Sequence, residues 1–231
     1  MPDRRLAILE DLERAEEEAA AELAEIEELY AACEELRGAA LDLLAFLGGL
    51  PDERAAVERE IEESTQGLEA ATDAAERAEQ ELAAAEADGD PERLAAARRF
   101  HIRACDARGV AERRARDALS RASELEAATK AADERADELA SRARKLADAL
   151  SRRPRVAVEA GVRPGPEPAE VAEWGTQVRA ALLVARNQVA AERDALVRQA
   201  NELAANAVGE PVPAMSAAGA AELLRRTLDQ S

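Results

Sequence analysis

From residue 91 to residue 150 one 3-4 register runs without a slip: Leu94, Ala97, His101, Ala104, Arg108, Ala111, Ala115, Ala118, Ala122, Leu125, Thr129, Ala132, Ala136, Leu139, Ala143, Leu146 and Leu150. Fourteen of these seventeen positions are Leu or Ala, which specifies a long helix with one narrow packing seam. Alanine-richness alone does not make the pattern, because the seventeen seam positions hold nine of the segment's eighteen alanines and the other forty-three positions share the rest. Such a seam needs partner helices of the same kind.

Composition agrees. Charged residues make up 35% of the 231 residues and aromatics 2%, which leaves little material for a thick globular core. Fifty-nine alanines supply much of the apolar fraction. An alanine layer buries little area at roughly 25 cal/mol per Å², so length must substitute for core thickness.

A first helix is expected from about Asp3 to Leu47, with Leu9, Leu12, Glu16, Ala19, Leu23, Ile26, Tyr30, Cys33, Arg37, Ala40, Leu44 and Leu47 on one face. Leu29, Leu36 and Leu43 form a flanking row that widens the stripe. Gly48, Gly49 and Pro51 read as a stop, followed by a second helix carrying Val57, Ile61, Ser64, Leu68, Ala71, Ala75, Ala78, Leu82 and Ala85. Asp88, Gly89, Asp90 and Pro91 form the next turn.

Short connections make the neighbours antiparallel, and at ~1.5 Å per residue the third helix, roughly 90 Å, overshoots the second, roughly 55 Å. Pro154, Gly161, Pro164, Gly165, Pro166 and Pro168 mark an extended linker. A fourth helix with Val171, Trp174, Val178, Leu182, Ala185, Val189, Leu196 and Leu203 should return along the overshooting half of the third, which makes that third helix a shared spine. Ser216 then caps a short last helix bearing Leu223, Leu224 and Leu228. The expected fold is therefore all-α: an elongated antiparallel coiled coil or staggered bundle of four long helices plus a short C-terminal one. Residues 1–153 form its three-helix part, 154–168 the linker, and 169–231 the returning helix and tail.

Charge is unevenly spread. Residues 1–50 carry fourteen acids and four bases, residues 51–88 thirteen and three, and residues 89–150 twelve and fourteen. Residues 92–121 hold nine Arg, from Arg93 to Arg121, against four acids, and are expected to neutralise the acidic hairpin. Nucleic acid is disfavoured as a partner, since stacking aromatics are scarce and the adjoining helices would repel phosphates.

Sites for chemistry are scarce as well. There is neither GxxxxGK[ST] nor GxGxxG, one histidine cannot build a His-based metal site, and no Glu-x-x-His pair occurs. The glutamate runs Glu16–Glu18 and Glu62–Glu63 lie in polar stretches that leave carboxylates ordinary. No catalytic residue, cofactor or metal is expected. Cys33 and Cys105 read as small buried residues in a reducing compartment. No apolar leader follows Met1, and the apolar stretches are shorter than a membrane span, so a cytoplasmic location is expected. Twenty-nine Arg against two Lys fits a GC-rich bacterial genome.

The polar seam residues Glu16, Arg37, His101, Arg108 and Thr129 either fix register or extend from the edge of a loose bundle. Surfaces for contact are Leu29, Leu36, Leu43 and Phe46, the basic helix end with Arg144, Lys145, Arg152 and Arg153, and the tail leucines Leu223, Leu224 and Leu228. These features point to a non-enzymatic interaction or scaffolding protein with an unidentified protein partner or a second copy of itself. A membrane-remodelling or tethering element, using the basic end or the apolar tip around Phe46, comes second. An accessory subunit of a separate ATPase or GTPase comes third.

Overall fold

A computed structural model describes residues 2–156 and 167–229 of the chain. The protein is all-α, with no strand among the described residues. Its helices are α1 (Pro2–Asp88), α2 (Pro91–Ser151), α3 (Pro168–Val208) and α4 (Ala217–Asp229), and a 3-10 turn, Pro154–Val156, follows α2. Most of the expected linker, residues 157–166, lies outside the described residues.

The main correction concerns the first two helices, which are one. α1 continues through Gly48, Gly49 and Pro51 for 87 residues. The reason lies in phase. The flanking row of Leu36 and Leu43 continues through the glycines as Leu50 and Val57, each seven residues on and all four buried, with Leu47 and Arg54 at the intervening 3-4 positions. A reversing turn would abandon that phase. Pro51 removes one helical N–H, but it sits on the exposed side, where water can take the orphaned carbonyl. Neither Gly48 nor Gly49 adopts a positive φ, so both are ordinary helical residues.

The turn that does reverse the chain is the one at Gly89. Its φ of 74° is the left-handed conformation that glycine adopts without a Cβ penalty, and its N–H donates to the Ala85 carbonyl at 3.3 Å. Asp90 then caps α2 by accepting the Glu92 N–H at 3.0 Å.

The chain divides into two compact units, residues 43–135 and residues 1–42 with 136–231. The first unit is an antiparallel hairpin of α1 and α2. Leu43, Leu50, Val57, Ala75, Ala78 and Ala85 are buried on α1, as are Ala97, Ala104, Ala118 and Ala132 on α2. Those four alanines repeat every seven residues or a multiple of seven and belong to one row of the α2 seam, whose Ala111 and Leu125 are half-buried. The alternate row, from Leu94 to Thr129, stays half-buried apart from Arg108, which is exposed. Two helices bury most of one seam row and no more. Across the hairpin Arg121 meets Glu60 at 2.6 Å and Arg98 meets Glu86 at 4.0 Å, so part of the expected neutralisation occurs.

In the second unit α3 runs antiparallel along the N-terminal part of α1, which takes the place expected for the overshooting half of the Arg-rich helix. Arg179 pairs with Glu34 at 2.6 Å, Arg186 with Glu27 at 3.2 Å and Arg193 with Glu16 at 3.8 Å, so partners on α1 descend as α3 advances. Beneath the ladder Val171, Val178, Leu182, Ala185 and Val189 are buried on α3, and Ile26, Cys33, Leu36 and Ala40 on α1. The end of α2 adds Leu139, Ala140, Ala143, Leu146 and Leu150. With more than two helices meeting here, Leu36 of the flanking row becomes core while Leu29 stays half-buried. α4 closes the far end, packing Ala217, Ala220, Ala221 and Leu224 with Leu9, Leu12, Ala200 and Ala204.

Candidate functional site

The expected contact residues fall into three groups. Leu36, Leu43 and Leu224 are buried and belong to the core, which corrects their assignment as surface. Leu29 and Leu223 are half-buried, and Leu228 lies on α4 with its side chain outside the described residues. Phe46 is exposed, as are Arg144, Lys145 and Arg152. Part of the basic end is engaged internally: Arg142 pairs with Glu35 at 2.7 Å, Arg153 with Glu25, and Arg155 with Glu22 and Glu192.

The hairpin of residues 43–135 carries exposed apolar side chains beyond the seam. Gly67, Ala71, Ala107 and Ala111 floor an open groove of about 630 Å³ with Val110 at its edge, Glu60 and Glu63 on the α1 lip and Arg114 on the α2 lip. Phe100 lines a second depression with Ala96, Ala97, Glu81 and Arg93. Ile102 and Leu119, at 58% and 59% exposure, are the most exposed large apolar side chains described. The seam accounts for Ala71, Ala97 and Ala111 but not for Phe100, Ile102, Val110 or Leu119. Their signal in the sequence was their own position, apolar residues on the charged faces of α2.

The polar seam residues separate. Glu16 is the one buried charged residue among those described. Its carboxylate accepts the Ala217 N–H at 2.7 Å, at the start of α4, and lies 3.8 Å from the Arg193 guanidinium. Arg37 is half-buried and donates twice to Glu34, which holds that carboxyl below its usual range. Thr129 donates to the Leu125 carbonyl of its own helix at 2.8 Å and accepts from Arg54 of α1 at 3.4 Å, a bond across the hairpin. Arg108 pairs with Glu112 on its own helix and specifies no partner.

The cysteines are both free and differ in environment. Cys33 is buried against α3, donates to the Gly175 carbonyl at 3.2 Å, and has its thiol pushed up to about 11, chiefly by burial. Gly175 permits that approach, since a Cβ there would lie 3.2 Å from the Cβ of Arg37. Cys105 is half-buried, with its sulfur 3.6 Å from His101 Nε2. Alkylation with iodoacetamide at pH 8 should therefore modify Cys105 and leave Cys33 intact until the chain unfolds. Equal labelling of both would refute the burial of Cys33.

The same shift makes a pH prediction. Because the folded state holds the Cys33 proton more tightly than the unfolded chain, its contribution is complete below the ordinary thiol pKa and is lost as pH rises toward 11. Urea titrations from pH 8 to 11 should show a decline that Cys33→Ala flattens.

Among the described residues no group of three or more His, Cys, Asp or Glu is placed to hold a metal ion, and no helix is long and apolar enough to cross a membrane. In comparisons with known proteins, no family model, no curated protein and no solved structure matches the chain.

Proposed function

We propose that this chain is a non-enzymatic interaction and scaffolding protein of the bacterial cytoplasm that works by offering helical surfaces to a protein partner. The observation that supports this most is the apolar side chains standing on the charged faces of α2. Phe100, Ile102, Val110 and Leu119 are 40–59% exposed; Phe100 and Val110 lie to one side of the seam, Ile102 and Leu119 to the other, and Val110 lines the groove together with glycine and alanine. An exposed Val110 in such a groove, with Phe100 on the same side of α2, is the chemistry by which an amphipathic helix is held. The membrane-tethering reading draws less support, because Arg142, Arg153 and Arg155 of the basic end already have carboxylate partners.

A photo-crosslinking side chain placed at Phe100, and separately at Asp117, tests the proposal in extracts of the native cell. Both positions should capture the same protein, and Val110→Asp should abolish capture. No adduct from either position, or adducts to lipid alone, would overturn it.

A further inference from the structure

We infer that α3 carries a second seam on its exposed side through which two copies of this chain pair antiparallel. The inference concerns a different unit from the hairpin surface and stands independently of it. On the covered side of α3, Val178, Leu182, Ala185 and Val189 are buried. On the other side a 3-4 spaced row is exposed throughout. Its centre is Ala180, Val184, Asn187 and Ala191, extended by Glu173 and Gln177 toward the N-terminus and by Asp194 and Arg198 toward the C-terminus. Val184 is 57% exposed, and its neighbour Leu183 is 37% exposed.

The centre of this row is the unusual part. In a chain with 35% charged residues, the twelve positions from Ala180 to Ala191 hold a single charge, Arg186, and that one is turned inward to Glu27 at 3.2 Å. A solvated helix face has no need to exclude charge over three turns, whereas a coiled-coil seam does.

The ends of the row identify the occupant. With two copies antiparallel about an axis between Val184 and Asn187, Glu173 faces the partner's Arg198, Gln177 the partner's Asp194, Ala180 the partner's Ala191, and Val184 the partner's Asn187. Each pairing occurs twice, so the row complements itself. The two alanine pairings permit close approach of the axes, and a polar Asn at one seam position fixes register. Other arrangements are penalised. A parallel pair would set Glu173, Asp194 and Arg198 each against its own copy. Sliding the antiparallel pair one heptad sets Val184 against Asp194 in one direction and Glu170 against Asp194 in the other.

The free charges agree with this arrangement. Arg179, Arg186 and Arg193 are all paired with α1, while Glu173, Asp194 and Arg198 make no ion pair among the described residues. Three of the four arginines of α3 hold the fold together, and the fourth stands on the open seam.

Sedimentation equilibrium of the full chain tests the inference. The wild type should show reversible dimerisation. Val184→Glu, a change at an exposed position, should abolish it without changing helicity by circular dichroism. Arg198→Glu should weaken it roughly 10- to 30-fold by turning two attractive pairings repulsive, and the double variant Glu173→Arg with Arg198→Glu should restore it. A wild type that stays monomeric up to ~1 mM, a weaker association than specific pairing requires, would overturn the inference. So would a dimer indifferent to Val184→Glu, or a charge swap that fails to restore pairing. None of these outcomes touches the crosslinking result at Phe100 and Asp117, so failure here and failure of the hairpin reading are separable.

Discussion

Replacing Glu16 with alanine is expected to release α4 from the rest of its unit. α4 is 13 residues long, below the length at which an isolated helix holds in water. Three of its four core residues are alanines, whose burial contributes little area. The polar attachments therefore matter more than usual. Asn201 holds the loop before α4 by donating to the Met215 carbonyl at 2.7 Å and accepting the Met215 N–H at 3.1 Å. Ser216 caps from within, its hydroxyl accepting the Gly219 N–H at 3.2 Å. Glu16 does what neither can: it brings a buried negative charge to the start of the helix, where the macrodipole favours it, and accepts the first N–H at 2.7 Å.

Alanine at this position leaves that N–H buried without its acceptor and the Arg193 guanidinium without its counter-charge. The two effects together should cost about 2–4 kcal/mol. Hydrogen exchange over residues 217–227 should accelerate by roughly 30- to 1000-fold, the same free energy read as an opening equilibrium. Glu16→Gln keeps an acceptor and should lie well short of that. Unchanged protection of α4 in Glu16→Ala would show that its apolar contacts suffice.

Glu16 also shows how far the sequence could be read. A glutamate at a seam position marks a place where the seam meets something other than another seam, and its two interpretations, register or snorkelling, were both visible. What it met was not, because Ala217 is two hundred residues away and carries no complementary side chain. The heptad row of α2 was legible for the opposite reason: it repeats one residue type at one spacing, and Ala97, Ala104, Ala118 and Ala132 are buried as that spacing requires. The partner of α3 lay between these extremes. Arg179, Arg186 and Arg193 recur every seven residues, and Glu34, Glu27 and Glu16 descend on α1 to meet them, but charge totals by segment hide such spacing. Leu36 and Leu43 read as uncovered because a stripe wider than one seam looks like surplus. In the folded chain both are core, Leu36 in the unit where α3 joins α1. Phe100 and Val110, on which the proposed contact rests, lie where the seam pattern does not reach.

The sharpest disagreement between local and long-range signals is at Pro51, and there the sign of a single substitution decides. Gly48, Gly49 and Pro51 are punctuation by any local rule, and a hairpin turn at this place would need them: alanine would then remove backbone freedom and a preset φ, and stability would fall. In a continuous helix the same residues are liabilities. Proline in a helix interior forfeits a hydrogen bond and crowds the preceding turn, at about 3 kcal/mol. It also disfavours the helical conformation of Leu50, a buried residue.

Pro51→Ala should therefore stabilise the chain by about 2–3 kcal/mol, which for a chain of this size raises the melting temperature by roughly 4–12 °C. Gly48→Ala and Gly49→Ala should each add roughly 0.5–1 kcal/mol, since a Cβ at either position meets nothing within 4 Å. Thermal unfolding of the three single variants reads the answer directly. Three increases establish that the phase carried by Leu47, Leu50, Arg54 and Val57 overrides the punctuation. A decrease at Pro51 would return the chain to two helices and dissolve the continuous α1, because a turn is the one arrangement in which proline there stabilises more than alanine does.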